Sequence, residues 1–290
     1  MASKSIGRKG RRGRKDEIHF ASSASFAPTV KCDSVARMST IRTIDHDGGV
    51  RLLTLDRPKA NAIDESLLTD LRAALAAAGD DDAVRAVVLT GAGAFFSGGF
   101  DLSAPRRDDD DTTRLNALYR DAHVDLLGFP KPTVAMLNGH ATAGGLILVL
   151  ACDYRLGVEG DYKVGLNEVA IGASYPLVAH EIAVLRLAHA RASELLLGAS
   201  LYPASQALRL GIVDELFPAD RFAETVLRRA ARLGSFPRDS YAHTKARLVA
   251  PALERVCAET PEEAARATAV WLSPESRAAR KRQREKLGIR

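Results

Sequence analysis

The chain has 290 residues, 46% hydrophobic and 27% charged, ordinary globular proportions that allow one large domain or two smaller ones. Its longest apolar stretch, LILVLAC at 146–152, is far too short to span a bilayer, which points to a soluble, cytoplasmic protein with no membrane partner. Three cysteines, Cys32, Cys152 and Cys257, are odd in number and widely spaced, which argues against a disulfide framework or a zinc site and fits a reducing compartment.

The net charge of +5 is local. Residues 1–15 hold seven Lys or Arg and no acid, and the rest of the chain has 34 basic against 36 acidic residues. Residues 1–37 therefore read as a basic, solvated leader. Two alternatives stay open for it: a transit segment, which would put the protein in the mitochondrial matrix, or a nucleic-acid-binding arm. Patterned sequence starts at Met38, and 38–290 is a self-sufficient domain length.

From residue 50 short β-rich runs alternate with helical ones, as in α/β proteins. VRLLTL (50–55) reads as a strand ended by Asp56-Arg57-Pro58. Residues 64–78 carry Leu67, Leu68, Leu71, Leu75 and Ala78 at helical spacing, with Asp64 as N-cap and Gly79 as stop. VRAVVLT (84–90) is a second strand and runs into GAGAFFSGG; the acid run Asp108–Asp111 reads as a solvated loop, not a metal site. PTVAML (132–137) is a third strand, ending at Asn138-Gly139, and DYRLGV (153–158) a fourth, after the apolar helix TAGGLILVLA. Pro203–Leu210 is a short helix closed by Gly211; further helices follow, the last over 274–287 and rich in Arg and Lys.

Several familiar chemistries fail on spacing. TGAGAFFSGG has Gly91 and Gly93 but Phe96 where a dinucleotide fingerprint needs its third glycine. Ser97 lacks the glycine two residues earlier that a nucleophile elbow requires, and His180-Glu181 has no second histidine for a zinc helix. What remains are FSGGFDL (96–102) and NGHATAGGLIL (138–148), each following a strand. Both read as tight turns or, alternatively, as bare backbone N–H groups offered to one ligand oxygen; the second runs into a helix whose first amides are unpaired. KVGLNEVAIG (163–172) adds one carboxylate, Glu168, among apolar neighbours: a loop acid, an acid paired with an arginine, or a base whose proton affinity is raised by burial.

Taken together, DRPKANAID, FSGGFDL and NGHATAGG, in this order and spacing, resemble the crotonase (enoyl-CoA hydratase/isomerase) superfamily over residues 40–290. The resemblance implies a ββα spiral with two sheets and a helical C-terminal region: leader 1–37, core 38–235, and a helical oligomerisation region 236–290. It implies assembly as a homotrimer or dimer of trimers. It casts Lys59, Ala60 and Ala62, with Gly98, Asp101 and Leu102, as coenzyme A contacts, although Asp101 and Asn167 also read as turn-stabilising. It places the two thioester-binding amides on Phe100 and Gly144, and the catalytic carboxylate on Glu168. Coenzyme A is then part of the substrate, with no metal or other cofactor.

One departure is informative. Hydratases of this family carry a glutamate three residues after the second amide, and here that residue is Ile147. GLNE with an apolar residue in that place is similar to the Δ3,Δ2-enoyl-CoA isomerase branch, as are LYPASQALRLGIVDELFP (201–218) and WLSPESRAARKRQREKL (271–287). The expected reaction is migration of a double bond into conjugation with the thioester. Enoyl-CoA hydration or thioester hydrolysis stands as the alternative, and an RNA-binding relative as the alternative of another class. Phe95, Leu146, Tyr175, Pro176 and Trp271 are expected to shape the acyl pocket, and Arg280–Lys286 either to meet coenzyme A phosphates or to lie in solvent.

Overall fold

Strand, strand, helix is the order repeated along the computed structural model, which describes residues 38–101, 103, 109–286 and 288. The leader 1–37 and Leu102 lie outside the described residues. β1 (Ile41–His46) pairs antiparallel with β2 (Val50–Leu55), and α1 (Glu65–Asp80) follows. β3 (Ala86–Gly91) and β4 (Phe95–Ser97) lead to α2 (Asp109–Leu127), and β5 (Thr133–Leu137) and β6 (His140–Thr142) lead to α3 (Gly144–Ala151). β7 (Tyr154–Val158) and β8 (Lys163–Gly165) lead through a 3₁₀ turn at Val169–Ile171 to α4 (Leu177–Arg186). Then come α5 (His189–Gly198), β9 (Leu201–Pro203), α6 (Ala204–Arg209), β10 (Glu215–Phe217), α7 (Ala219–Gly234), α8 (Arg238–Cys257), α9 (Pro261–Leu272) and α10 (Pro274–Lys286).

The strands of the first unit, β1 and β2, stay together, and those of the later units part company. β1, β2, β3, β5, β7 and β10 form one sheet, parallel from β2 onward, while β4, β6, β8 and β9 form a second. The first sheet is covered on both faces, as parallel sheets are. Val87 and Leu89 of β3 and Ala135 and Leu137 of β5 enter the main core with α1 and α3; the alternate residues Ala86, Val88, Val134 and Met136 meet Phe222, Val226, Ala230 and Leu233 of α7. α3 is buried on every side, as its unbroken apolar sequence requires.

The C-terminal helices share this core. α8 buries Val249, Ala252 and Val256, and its Lys245 reaches Asp153 at 2.8 Å, beside the Tyr241 hydroxyl at 3.0 Å. Removing one partner of so buried a pair costs about 3–5 kcal/mol.

Three expectations need correction. α1 does not stop at Gly79 but runs to Asp80, and a Cβ on Gly79 would have ordinary room against Phe129. The acid run is not a loop: from Asp109 it opens α2. Asp108 lies outside the described residues. Paired structure also begins before residue 50, at β1. No helix among the described residues is long and apolar enough to cross a membrane.

Candidate active site

The segment after β2 is laid against the end of β4. Gly98 N donates to Ala60 O (2.8 Å), Ile63 N to Gly99 O (2.7 Å), and Asp101 N to Ile63 O (2.9 Å). Lys59, Ala60 and Asn61 all hold positive φ, 63°, 67° and 49°, a conformation costing on the order of 1–3 kcal/mol at each non-glycine residue. Asn61 holds the strained turn: its Nδ2 donates to Ala92 O and Phe95 O (3.0 and 2.9 Å), and its Oδ1 accepts from Arg57 N. Arg57 pairs with Asp64 at 2.9 Å and Asp101 at 2.6 Å, and its Nη1 donates to Ala62 O. Lys59, Ala60, Ala62, Gly98 and Asp101 therefore belong to one piece of surface. Asp101 is committed to Arg57 and to the amide of Ser103, as its turn-stabilising reading expects. Burial pushes its carboxyl up, but the bonds from Ser103 and Arg57 outweigh this and hold it below the usual range.

The N-terminus of α3 is pressed onto the same strand end. Thr142 Oγ1 donates to Gly98 O at 3.1 Å. A Cβ on Gly99 would stand 2.7 Å from Ala143 Cβ and 3.3 Å from Gly144 N, and one on Gly145 would stand 2.3 Å from Ser97 O. Only glycine permits this approach, which sets the Gly99–Phe100 peptide beside the Gly144 amide. Ala143, at φ 52° and ψ −135°, takes a turn position that normally belongs to glycine. As the first residue of α3, Gly144 has no earlier turn to bond, and its amide donates to no described residue.

Glu168 enters from the turn after β8. Its carbonyl accepts from Ile171 N (3.0 Å) and Ala173 N (2.8 Å), and the turn closes at Gly172, φ 70°. α10 seats on that glycine: a Cβ there would lie 2.5 Å from Ser276 Cα. Burial raises the Glu168 carboxyl to about 7; the amides of Glu168 and Asn167 and the Tyr175 hydroxyl offset part of the rise. No cation contributes, so the arginine-paired reading of this acid finds no partner among the described residues. Its Oε2 and the Tyr175 hydroxyl are both buried without a partner in normal hydrogen-bond geometry. They are nonetheless near enough for the carboxylate to raise the phenol, whose burial already pushes it up.

Ile147 lies one turn along α3 from Gly144 and is fully buried. Leu146 is buried in the core. Phe95 packs on His140, with ring centroids 4.8 Å apart, and the Trp271 ring is covered by the Arg280 guanidinium at 3.7 Å, so these aromatics engage other side chains. Arg280 also donates to Trp271 O at 2.6 Å, so it is held at the base of α10.

Two residues escaped the sequence reading. Tyr119 of α2 is 1% exposed, its ring centroid 4.9 Å from that of Phe100 and its hydroxyl 3.4 Å from where a Cβ on Gly144 would stand. His123, one turn on, stacks on Tyr119 and bonds its carbonyl through Nδ1 (2.8 Å); burial lowers it to about 4, so it is neutral. The signal was present as helical spacing of Leu115, Tyr119, Ala122, His123 and Leu126, but the acid run before it hid the helix. Among the described residues no cluster of His, Cys, Asp or Glu is placed to hold a metal.

Known proteins resemble this chain in sequence and fold. Residues 45–286 match the family described as enoyl-CoA hydratase/isomerase. A probable enoyl-CoA hydratase of Mycolicibacterium paratuberculosis is 34% identical over 224 residues, covering 73% of this chain and 84% of that one. The structure of a Mycobacterium tuberculosis protein, named an enoyl-CoA isomerase in one determination and a probable enoyl-CoA hydratase in another, is similar with a TM-score of 0.71 and 30% identity, covering 76% of this chain and 95% of that one. Human mitochondrial Δ3,Δ2-enoyl-CoA isomerase reaches a TM-score of 0.82 over 86% of this chain and 98% of its own, and at 24% identity it speaks to the fold alone. With the strands of the later units divided between two sheets and nearly all of residues 38–290 matched, this chain belongs to the enoyl-CoA hydratase/isomerase family, the crotonase superfamily.

Proposed function

We propose that this enzyme is a Δ3,Δ2-enoyl-CoA isomerase. The observation that carries the reading is the pairing of Glu168, raised to about 7 by burial, with a fully buried isoleucine at 147. Hydration is best served by two carboxylates that hold and activate one water. Moving a double bond needs one base that carries a proton between two carbons.

The thioester oxygen of a 3-enoyl-CoA accepts hydrogen bonds from the amides of Phe100 and Gly144, which acidifies the α carbon. Glu168 removes the α proton, and the electron pair moves onto the thioester oxygen as a dienolate. The same carboxyl returns that proton at the γ carbon, giving the conjugated 2-enoyl-CoA and restoring the base. A carboxyl near 7 suits both steps, since it is basic enough to take the proton and acidic enough to give it back. Ile147 keeps water from the double bond. The turn at Lys59, Ala60 and Ala62, with Gly98, receives the nucleotide and pantetheine, with Asp101 holding Arg57 behind it. Coenzyme A enters as part of the substrate, and no other cofactor is called on.

A second reading, hydration, draws on the relative named a probable hydratase and on the Tyr175 hydroxyl beside Glu168, a group able to hold a water. Following a 3-enoyl-CoA into conjugation and a 2-enoyl-CoA out of it, with product analysis, separates the two.

A further inference from the structure

The proton shuttle makes no use of Tyr119, which α2 brings to the start of α3. Its hydroxyl is 3.4 Å and its ring edge 3.1 Å from the point where a Cβ on Gly144 would stand, a position two bonds from the Gly144 nitrogen. The ring is held there by Phe100, with centroids 4.9 Å apart, and by His123 at 3.9 Å. Phe100 carries the other thioester-binding amide of the reading above, so the phenol adjoins both residues of that hole. The side chain is 1% exposed, and Ile63 presses on the same point of Gly144 at 3.2 Å. Where such a place asks only for bulk, phenylalanine fills it without the cost of drying a hydroxyl. Burial raises the phenol well above its ordinary value and the charge of Glu168 raises it further, so the hydroxyl keeps its proton and is free to donate a hydrogen bond. The Gly144 amide donates to no described residue, and two neighbouring donors suit one ligand oxygen with lone pairs to receive them.

We propose that the Tyr119 hydroxyl is a third donor to the thioester oxygen, beside the amides of Phe100 and Gly144. The bond gains as that oxygen takes on charge in the dienolate, because an O–H bond to an anionic oxygen is about twice as strong as one to a neutral oxygen. It therefore favours the transition state over bound substrate. The proposal rests on the oxyanion reading of Phe100 and Gly144 but not on the isomerase reading, since hydration through the same hole would use the phenol equally.

The test watches the thioester carbonyl itself, by difference infrared spectroscopy of hexanoyl-CoA labelled with carbon-13 at that atom and bound to the full chain. This saturated thioester has no double bond to move. In the parent its carbonyl band should lie below the position it has in free hexanoyl-CoA. Tyr119→Phe should return the band part of the way, and 3,5-difluorotyrosine placed at 119, a stronger donor of nearly the same shape, should lower it further. With 3-hexenoyl-CoA, Tyr119→Phe should lose about 100-fold in kcat with KM little changed, the pattern of a bond made mainly in the transition state. A band that neither replacement moves would overturn the proposal even if kcat falls, since the phenol would then act only by packing. A parent band no lower than that of free hexanoyl-CoA would overturn the oxyanion reading and this proposal with it. A band that answers to both replacements, together with no turnover of 3-hexenoyl-CoA, would sink the isomerase reading and leave this one standing.

Discussion

Gly99 and Gly144 meet backbone to backbone: a Cβ on the first would stand 3.3 Å from the amide nitrogen of the second. The segment after β4 and the start of α3 are thus fitted to each other before any substrate arrives. Gly99 also holds φ 82°, closed to most side chains. Gly99→Ala should therefore separate the two amides and lower kcat by about 100-fold or more, the usual loss when one oxyanion donor is misplaced. A Gly99→Ala enzyme that folds and keeps its kcat would show that the two amides do not act together.

The acid limb of activity should follow Glu168. With its carboxyl raised to about 7, kcat/KM is expected to climb with pH through that value, because only the carboxylate accepts the α proton. Profiles for the parent and for Tyr175→Phe check this; the phenol offsets part of the rise, so its loss should move the limb to higher pH.

Stability should run opposite to activity at this residue. The carboxyl is at about 7 in the folded chain against an ordinary 4.5, so the folded state holds a proton that the unfolded chain has released. That contribution is complete below the unfolded value and is lost as pH rises through the folded one. Glu168→Gln, which never ionises, should then be more stable than the parent by about 3 kcal/mol at alkaline pH and no more stable at acid pH. Urea unfolding of both proteins across this range reads the difference.

α10 should matter to a reaction it does not perform. It packs on Gly172, four residues after Glu168, where a Cβ would strike the Ser276 backbone. Gly172→Ala must either lift the helix or shift the turn, and a displacement of about 1 Å in a catalytic group costs on the order of 100-fold in rate. The expected result is a large fall in kcat with KM little changed. An unchanged kcat would mean that α10 does not position the glutamate.

The long elements were legible because their periods are long enough to read. Leu67, Leu71 and Leu75 mark the buried face of α1, and LILVL can only be an interior helix. β4, β6 and β8 have three residues each, too few for any alternation to show, yet they build the sheet that carries the site. The positive φ of Lys59, Ala60, Asn61 and Ala143 was illegible for the opposite reason. Local preference argues against it, and only tertiary contacts such as the Asn61 side chain hold it in place. Glu168 stood out as a carboxylate in an apolar run. Tyr119 did not, because nothing nearby in sequence marks it apart from an ordinary core aromatic.

The most direct measurement is a paired assay on the full chain, supplying a 3-enoyl-CoA in one arm and the matching 2-enoyl-CoA in the other. A lone proton shuttle with water excluded predicts isomerisation faster than hydration by about 100-fold or more, on the scale of a general-base contribution. Hydration equal to or faster than isomerisation would contradict it, and would mean that another group does at Ile147 what a second glutamate does elsewhere in the family.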